Sequence, residues 1–557
     1  MSLMGSLYIG QSGLQTGQNA LNTTAHNLAN ANTIGYTRQI VQQAARGYRT
    51  LSVSASAVAY QQLGLGVNYS ETKTQRDLFL DKAFRKESGR SAFYEVSTTA
   101  LEEVETLFQE IEGEAFGVAL NNLWAAIQDL ANEPEQASRQ AIFIQRANEF
   151  ITRAASVYAG MCEYQDNMNR SIANDVERIN ELGLQISELN VRIGRFEAGG
   201  VERANDLRDV RDRLIDELAC LADISYADDA WGNVVIKIEG NDFVKTESFN
   251  RIALYTDTLT GFYTPYWETL ATYYTDEFGE DQVDIRNAKV FNLTAVISSD
   301  ANTDIGQTKS KMLARGDKRA TYEDIAVSDP ESPYYDPAQA NHYDKNISQS
   351  VIMNMQAEFD QLIYKIVTGI NEIIREAADA ETAIDPNSTY LRDAYGNPLL
   401  IFNLGTNDPA YGPAGGPWTV QNIVINDILR QAPSLLGFIK TDGQSDYYPT
   451  TARLKDLFDA KIHTLNPNVQ TRVNLAGYYN AMISQVANSA SVSRAIGENQ
   501  KMTVNELEQA REQVVGVSSD EELSNMIMFQ NAFNASSRYI NVISEMLEHI
   551  IMRLGNM

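Results

Sequence analysis

The chain has 557 residues, with 45 basic against 73 acidic side chains and a net charge of −28. That length exceeds the roughly 250–300 residues at which a single core stops growing, and the charge lacks the basic footprint of nucleic-acid binding and disfavours anionic membrane surfaces. No apolar run approaches the roughly 18 residues of a membrane span, and no basic n-region with a continuous apolar h-region opens the chain, so composition alone reads as cytoplasmic.

In chain order, the first 37 residues contain no Asp, Glu, Lys or Arg. Leu7, Leu14, Leu21 and Leu28 recur there every seven residues, the spacing that keeps one apolar seam against a partner helix. Gly10, Gly17 and Thr24 fall between them, where small residues admit a second helix closely. A helix packed on one side of a globule shows a charged outer face. This one offers Gln, Asn, Ser and Thr, which suits a helix surrounded by other protein.

Residues 76–110 and 115–131 are read as helices, with Pro134 placed to open the next. From Phe143 to Phe196 apolar residues recur at every third or fourth position, until Gly199 and Gly200 supply a stop. Unbroken, that stretch would span about 81 Å, against roughly 60 Å for a compact globule of this length. An elongated molecule is therefore expected, even if Gly160 or Gly183 breaks the helix. Residues 205–221 form a shorter helix, in which Asp206, Asp209, Asp212 and Asp216 interleave with Arg208, Arg211 and Arg213. The alternation reads as a salt-bridged face rather than a cation site.

Twelve of the thirteen prolines lie between Pro265 and Pro467, so this middle cannot be continuously helical. Val234, Ile236 and Ile238 alternate with more polar neighbours as a half-buried strand does, and Phe291, Leu293, Ala295 and Ile297 alternate similarly. Residues 223–345 are therefore expected to form a mainly β domain. A helix returns at about 347–379, and 381–450 is turn-rich loop or strand. Helices resume from about 451 to the end. There Met526, Phe533, Ile540, Leu547 and Leu554 again step by seven, and Ser519 and Glu522 have capping-box spacing before Leu523. The expected fold class is mainly α with an inserted β domain, an α+β multidomain chain whose terminal helices pair like a coiled coil.

The search for chemistry is negative. His26, His342, His463 and His549 lack a second His or Cys at metal-ligand spacing, so no metal is expected, and each is read as a surface or cap residue. No phosphate loop, dinucleotide fingerprint or nucleophile elbow occurs. No cofactor and no enzymatic activity are expected, and Cys162 and Cys220 are read as free thiols.

Ser12-Gly13-Leu14, Gln18-Asn19-Ala20-Leu21 and the run Asn27 to Tyr36, with Asn30, Asn32, Thr33 and Gly35, resemble the N-terminal signature of bacterial flagellar rod, hook and hook-associated proteins. Thr37-Arg38-Gln39 after that tyrosine is similar to the version in the hook-associated protein 1 family, which joins hook to filament. The stretch Asn205–Leu214 resembles an internal helix of that family. Residues 516–526 with Gln530-Asn531-Ala532-Phe533 resemble its C-terminus. Leu28 stands where the family usually has isoleucine, and Phe533 where tyrosine is common.

The resemblance implies a structural, non-catalytic protein of the flagellum, exported without a cleaved signal by the flagellar type III system and so extracellular. It implies a tubular homo-oligomer with hook protein and hook-associated protein 3 as neighbours, and an export chaperone on the C-terminal helix. On this basis residues 1–36 with 520–557 are expected to form the inner terminal domain. Residues 37–222 with 346–380 and 451–519 would form a helical rod, 223–345 an outer β domain and 381–450 an insertion. A sibling axial protein, or a binding module displayed by the middle of the chain, remains the alternative.

Overall fold

The computed structural model describes all residues except 1–2, 54–59, 110–114, 200–202, 230–231, 276–280, 326–335, 406–416, 437, 439–448, 470 and 555–557. The helices in chain order are α1 (Leu3–Ala29), α2 (Leu78–Gln109), α3 (Phe116–Asn132), α4 (Ala137–Glu197), α5 (Asn205–Leu221), α6 (Gln307–Arg315), α7 (Tyr322–Ile325), α8 (Pro337–His342), α9 (Val351–Ile384), α10 (Asp427–Gln431), α11 (Pro449–Asp459), α12 (Leu475–Val515) and α13 (Ser519–Leu554). The strands are β1 (Gln39–Ala45), β2 (Tyr48–Val53), β3 (Tyr60–Gly64), β4 (Val67–Thr74), β5 (Ile224–Asp228), β6 (Val234–Ile238), β7 (Asn241–Val244), β8 (Ile252–Thr256), β9 (Tyr263–Trp267), β10 (Thr272–Thr275), β11 (Asp281–Asp284), β12 (Phe402–Leu404) and β13 (Ile423–Ile425). The chain is thus mainly helical with small antiparallel sheets, and its two terminal helices pack together.

Two compact units emerge, one of residues 1–89, 178–251 and 500–557, the other of 90–177 and 252–499. The expected β domain at 223–345 is divided between them, because the β5-β6-β7 sheet belongs to the first unit and the hairpins β8-β9 and β10-β11 to the second. The short helices α6, α7 and α8 also lie within that span. Residues 291–297 form no strand. Asn292 accepts from both the amide and the hydroxyl of Thr294, and this local turn displaces the ladder that the alternation suggested.

In the first unit, β6 follows its alternation, burying Val234, Ile236 and Ile238, and Asn190 of α4 holds the Val234 backbone through its amide and carbonyl. Gly183 does not break α4. A Cβ there would lie 2.4 Å from Phe243 Cζ, so the glycine lets the sheet approach the helix. Gly160, in the second unit, gives Leu107 the same room. Pro134 lies in the turn between α3 and α4 rather than in the first turn of α4. The span 39–74, assigned to the helical rod with no helix of its own, forms two ladders, β1 on β4 and β2 on β3.

The second unit has a conventional apolar core in which Phe108, Phe116, Phe150 and Phe359 meet at its centre. Helix α9 starts at Ser350, whose hydroxyl accepts the Met353 amide, and buries most of its surface. Two carboxyls on it are fully buried. Asp360 accepts the amides of Val420 at 2.6 Å and Tyr322 at 2.9 Å, tying two loops to the helix. Glu358 Oε1 accepts from Asn466 at 2.8 Å and Gln485 at 3.2 Å. His463 is buried here, not on the surface, and burial beside Lys365 pushes its imidazole down to about 4. Cys162 and Cys220 are not joined in a disulfide.

Burial pushes the Glu358 carboxyl up from 4.5 to about 7, against the hydrogen bonds from Asn466, Gln485, Asn354 and Tyr343 that favour its charged form. The folded state therefore holds a proton that the unfolded chain has released. The stability from this group is complete below about pH 4.5 and falls by roughly 3 kcal/mol as pH rises to about 7. Glu358→Gln should flatten the pH dependence of thermal unfolding across that interval and raise the melting temperature relative to wild type at pH 8. An unchanged slope would refute the assignment.

Candidate functional site

The stretches that stood out in the sequence, hundreds of residues apart, meet in the first unit. Helix α1 ends at Ala29. Thr33 and Tyr36 amides close two turns on Asn30 and Thr33 carbonyls, and Gly35 takes a φ of +80°, open to glycine at little cost. The turn folds Tyr36 back onto Asn27, which is buried and fully used. Its Oδ1 accepts the Tyr36 hydroxyl at 2.7 Å and the Gln39 amide at 3.0 Å. Its Nδ2 donates to the Gln39 carbonyl at 2.9 Å and to Glu522 Oε2 at 3.2 Å.

Glu522 comes from the first turn of α13. Its other oxygen accepts Arg38 Nε at 2.8 Å, while Arg38 reaches Glu521 at 3.0 Å and donates its amide to the Val515 carbonyl. The capping-box expectation thus gives way, since the Glu522 carboxylate is spent on Arg38 and Asn27. Helix α5 supplies the third side. Thr37 donates its amide to Asp209 at 2.9 Å, Gln39 its side chain to Asp206 at 3.0 Å, and Asn205 its Nδ2 to the Thr72 carbonyl at 3.1 Å. A cleft of about 260 Å³ remains between the 30–36 turn and α5, lined by His26, Thr33, Tyr36, Asp206, Asp209 and Arg213 among others. Asn32 is exposed beside it. Burial pushes the Asp209 carboxyl up to about 6. Burial, with Asp206 and Asp209 adding to it, raises the Tyr36 phenol well above its usual range.

The remaining aspartates of α5 do form ion pairs, but not with the arginines interleaved among them. Asp212 and Asp216 hold Arg85 at 3.2 and 2.6 Å, Arg76 also pairs with Asp212, and Arg511 bridges Asp81 at 3.0 Å and Asp216 at 2.9 Å. Arg85 and Arg511 also lie over the rings of Tyr226 and Phe84. Arg208 instead pairs with Glu197, and Arg211 donates to Asn190. Sequence reasoning missed Arg76, Arg85 and Arg511. Four aspartates on one helix were the available signal. Among the described residues, no group of His, Cys, Asp and Glu is placed to hold a metal ion, and no helix is long and apolar enough to cross a membrane.

The terminal helices run antiparallel. A Cβ at Gly10 would meet Ile540 at 2.7 Å, one at Gly13 would meet Ser536 at 2.7 Å, and one at Gly17 would come within 3.4 Å of the Phe533 backbone. The glycine face, with buried Thr16, Ala20 and Thr24, makes this contact. Leu7, Leu14, Leu21 and Leu28 lie on its flank, half-buried, as are Met526, Phe533, Ile540 and Leu547. The side chain of Leu554 is outside the described residues. Large apolar side chains of α13 stay exposed, Ile527, Met528, Met546, Ile551 and Met552 by half or more.

Asn27→Asp tests the junction. It removes both donors and sets a carboxylate against Glu522, which should destabilise the contact by roughly 3 kcal/mol or more. Amide exchange should accelerate in α13 and β1 relative to wild type at the same pH. Unchanged protection would show that the junction is not held by this residue.

Three family models match the chain. Residues 101–282 match the helical domain of the flagellar hook-associated protein FlgK, 7–37 match the flagella basal body rod protein, and 509–553 match the C-terminal region of the flagellar basal body rod FlgEFG proteins. Flagellar hook-associated protein 1 of Bacillus subtilis is 26% identical over 97% of this chain and 96% of its own length. That of Salmonella typhimurium is 22% identical over 97% of this chain and 98% of its own. The solved structure of the flagellar hook junction protein FlgK from Burkholderia pseudomallei covers 79% of this chain and all of its own, with a TM-score of 0.52 and 12% identity, a likeness of fold.

Proposed function

We propose that this chain, which belongs to the flagellar hook-associated protein 1 family, works at the hook–filament junction by packing its terminal helices into a tube. It is a structural component of the extracellular flagellum and not an enzyme. The observation that carries the assembly reading is the α1–α13 pair. It is uncharged along α1, joined through small residues, and leaves a long apolar surface on α13 uncovered. Exposed apolar area of that extent marks an interaction surface.

In this reading the terminal pair forms the inner wall of the tube. Hook protein is the neighbour on one side and hook-associated protein 3 on the other. The end helices match models drawn from rod proteins, which supports a contact design shared by unlike axial subunits. Residues 101–282 match the hook-associated helical domain, which favours the junction over a rod or hook role. The apolar α13 surface also needs cover before assembly, and an export chaperone on residues 520–557 would supply it, with secretion through the flagellar type III system.

Electron microscopy of source cells lacking the gene, with flagellin assayed in the medium, tests the role. Hooks without filaments and unassembled flagellin outside are expected, and a copy lacking residues 1–29 should fail to restore filaments. Missing hooks would place the protein earlier in assembly, and normal filaments would overturn the reading.

A further inference from the structure

Helix α5 presents its aspartates to arginines from elsewhere in the chain. Asp212 and Asp216 both hold Arg85, Arg76 pairs with Asp212, and Arg511 pairs with Asp216. Two of these guanidinium groups also lie over aromatic rings, Arg85 at 4.5 Å from the centre of Tyr226 and Arg511 at 4.3 Å from that of Phe84. One turn before Asp212, Asp209 is different. It is 7% exposed and its Oδ2 accepts the Thr37 amide, but its Oδ1 receives no hydrogen bond from any described residue. A buried acceptor without a donor is costly, and uncommon enough to need a physical account. Asp209 lines the cleft between α5 and the 30–36 turn, where Tyr36 adds an aromatic wall and Asp206 a second carboxylate. Residues three apart on a helix share a face, so the two carboxylates flank one space. Arg213 also lines the cleft, at the spacing of an intrahelical ion pair with Asp209, yet it does not donate to Oδ1. Its stem lies against the turn, with Cδ 3.6 Å from where a Cβ on Gly35 would stand. Ile34, 86% exposed, and Val210, 39% exposed, give the cleft an apolar rim.

We propose that this cleft docks an arginine side chain of a partner protein, whose guanidinium donates to Asp209 Oδ1 and Asp206 beside the Tyr36 ring. The partner's arginine repeats what the chain's own arginines do further along α5, where a carboxylate and a ring hold each of Arg85 and Arg511. A guanidinium is a planar fork that can serve two carboxylates at once and lay its face on a ring, and a compact, strongly hydrated ammonium offers neither. A free small cation would leave Ile34 and Val210 wet. An arginine carried on a polypeptide brings flanking chain to cover them, and such anchors are common at the centres of protein interfaces. Burial has pushed the Asp209 carboxyl up, and a guanidinium beside it would offset that shift. The inference does not depend on the tube reading, since no residue of α13 lines the cleft.

The test titrates the full chain by calorimetry with the capped tripeptide leucine-arginine-leucine, its lysine and citrulline counterparts, and N-acetylarginine amide. The arginine peptide should bind one to one and about tenfold tighter than the lysine peptide, and uncharged citrulline should not bind measurably. Asp209→Asn keeps an acceptor for the Thr37 amide and should weaken the arginine peptide about tenfold. Asp206→Asn, at an exposed position, should weaken it about threefold. Ile34→Ser should lower the peptide to the affinity of N-acetylarginine amide. Glu188→Gln, an exposed carboxylate of α4 outside the cleft, should change nothing, and Arg213→Gln should leave binding intact or tighten it. If Asp209→Asn lowers the melting temperature, Asp206→Asn and Ile34→Ser decide the matter. No binding of the arginine peptide, or equal binding of the lysine peptide, would overturn the proposal. So would equal binding of N-acetylarginine amide to wild type, which would make the ligand a free small cation. Binding lost in Arg213→Gln would also overturn it, since the cleft would then recognise an acidic group.

Discussion

The contact between α1 and α13 depends on how little side chain stands between them. Gly10, Gly13 and Gly17 place no Cβ at their own positions on the contact face, so the backbone of α1 comes down onto Phe533 and Ile540. Glycine in a helix costs about 1 kcal/mol against alanine, and three in one helix weaken it unless close packing offsets them. The same choice decides what remains outside. With glycines at the contact, the leucines are turned to its flank and α13 keeps most of its large apolar residues in water. A pair that buries its small residues and exposes its large ones is stable only where further helices cover the rest.

The polar junction at the end of that pair holds it to the rest of its unit. Asn27 uses two donors and two acceptors on partners from the 36–39 segment and from α13. Glu522 is buried but pairs with Arg38. Buried polar groups that are fully satisfied specify one geometry, while a partly satisfied set would be costly. The neighbouring ion pairs of Arg76, Arg85 and Arg511 with Asp81, Asp212 and Asp216 act on the same helix α5. Helix α5 thus carries two functions on its polar residues: Asp206 and Asp209 hold the turn after α1, and Asp212 and Asp216 hold α2 and the end of α12.

Periodicity made the long helices legible. α5 begins and ends where the pattern does, and the β6 strand matches its alternation residue for residue. What the sequence concealed was chosen by partners far along the chain. Ser519 and Glu522 have ideal local spacing for a capping box, yet a guanidinium nearly five hundred residues away takes the carboxylate. The aspartates of α5 likewise reject the arginines beside them, which point to Glu197 and Asn190 instead. The ladders at 39–74 were hidden because β1 is largely exposed, so no alternation of apolar and polar residues marks it. At 291–297 alternation was present but a local Asn292 turn outweighed it. The convergence of the N-terminal motif, α5 and α13 on Asn27 was legible only as a resemblance, since no spacing rule links them.

The two units solve different stability problems. The second closes its own core around Phe359 and α9, and even its buried carboxyls find donors within it. The first ends in helices whose apolar surface exceeds what they cover for each other. Any neighbour that covered them would bury what the single chain leaves wet, so order at the chain ends would rise with that contact. Because α1 bears no charge on any side, neither a polar nor an apolar neighbour is refused by an unpaired ion.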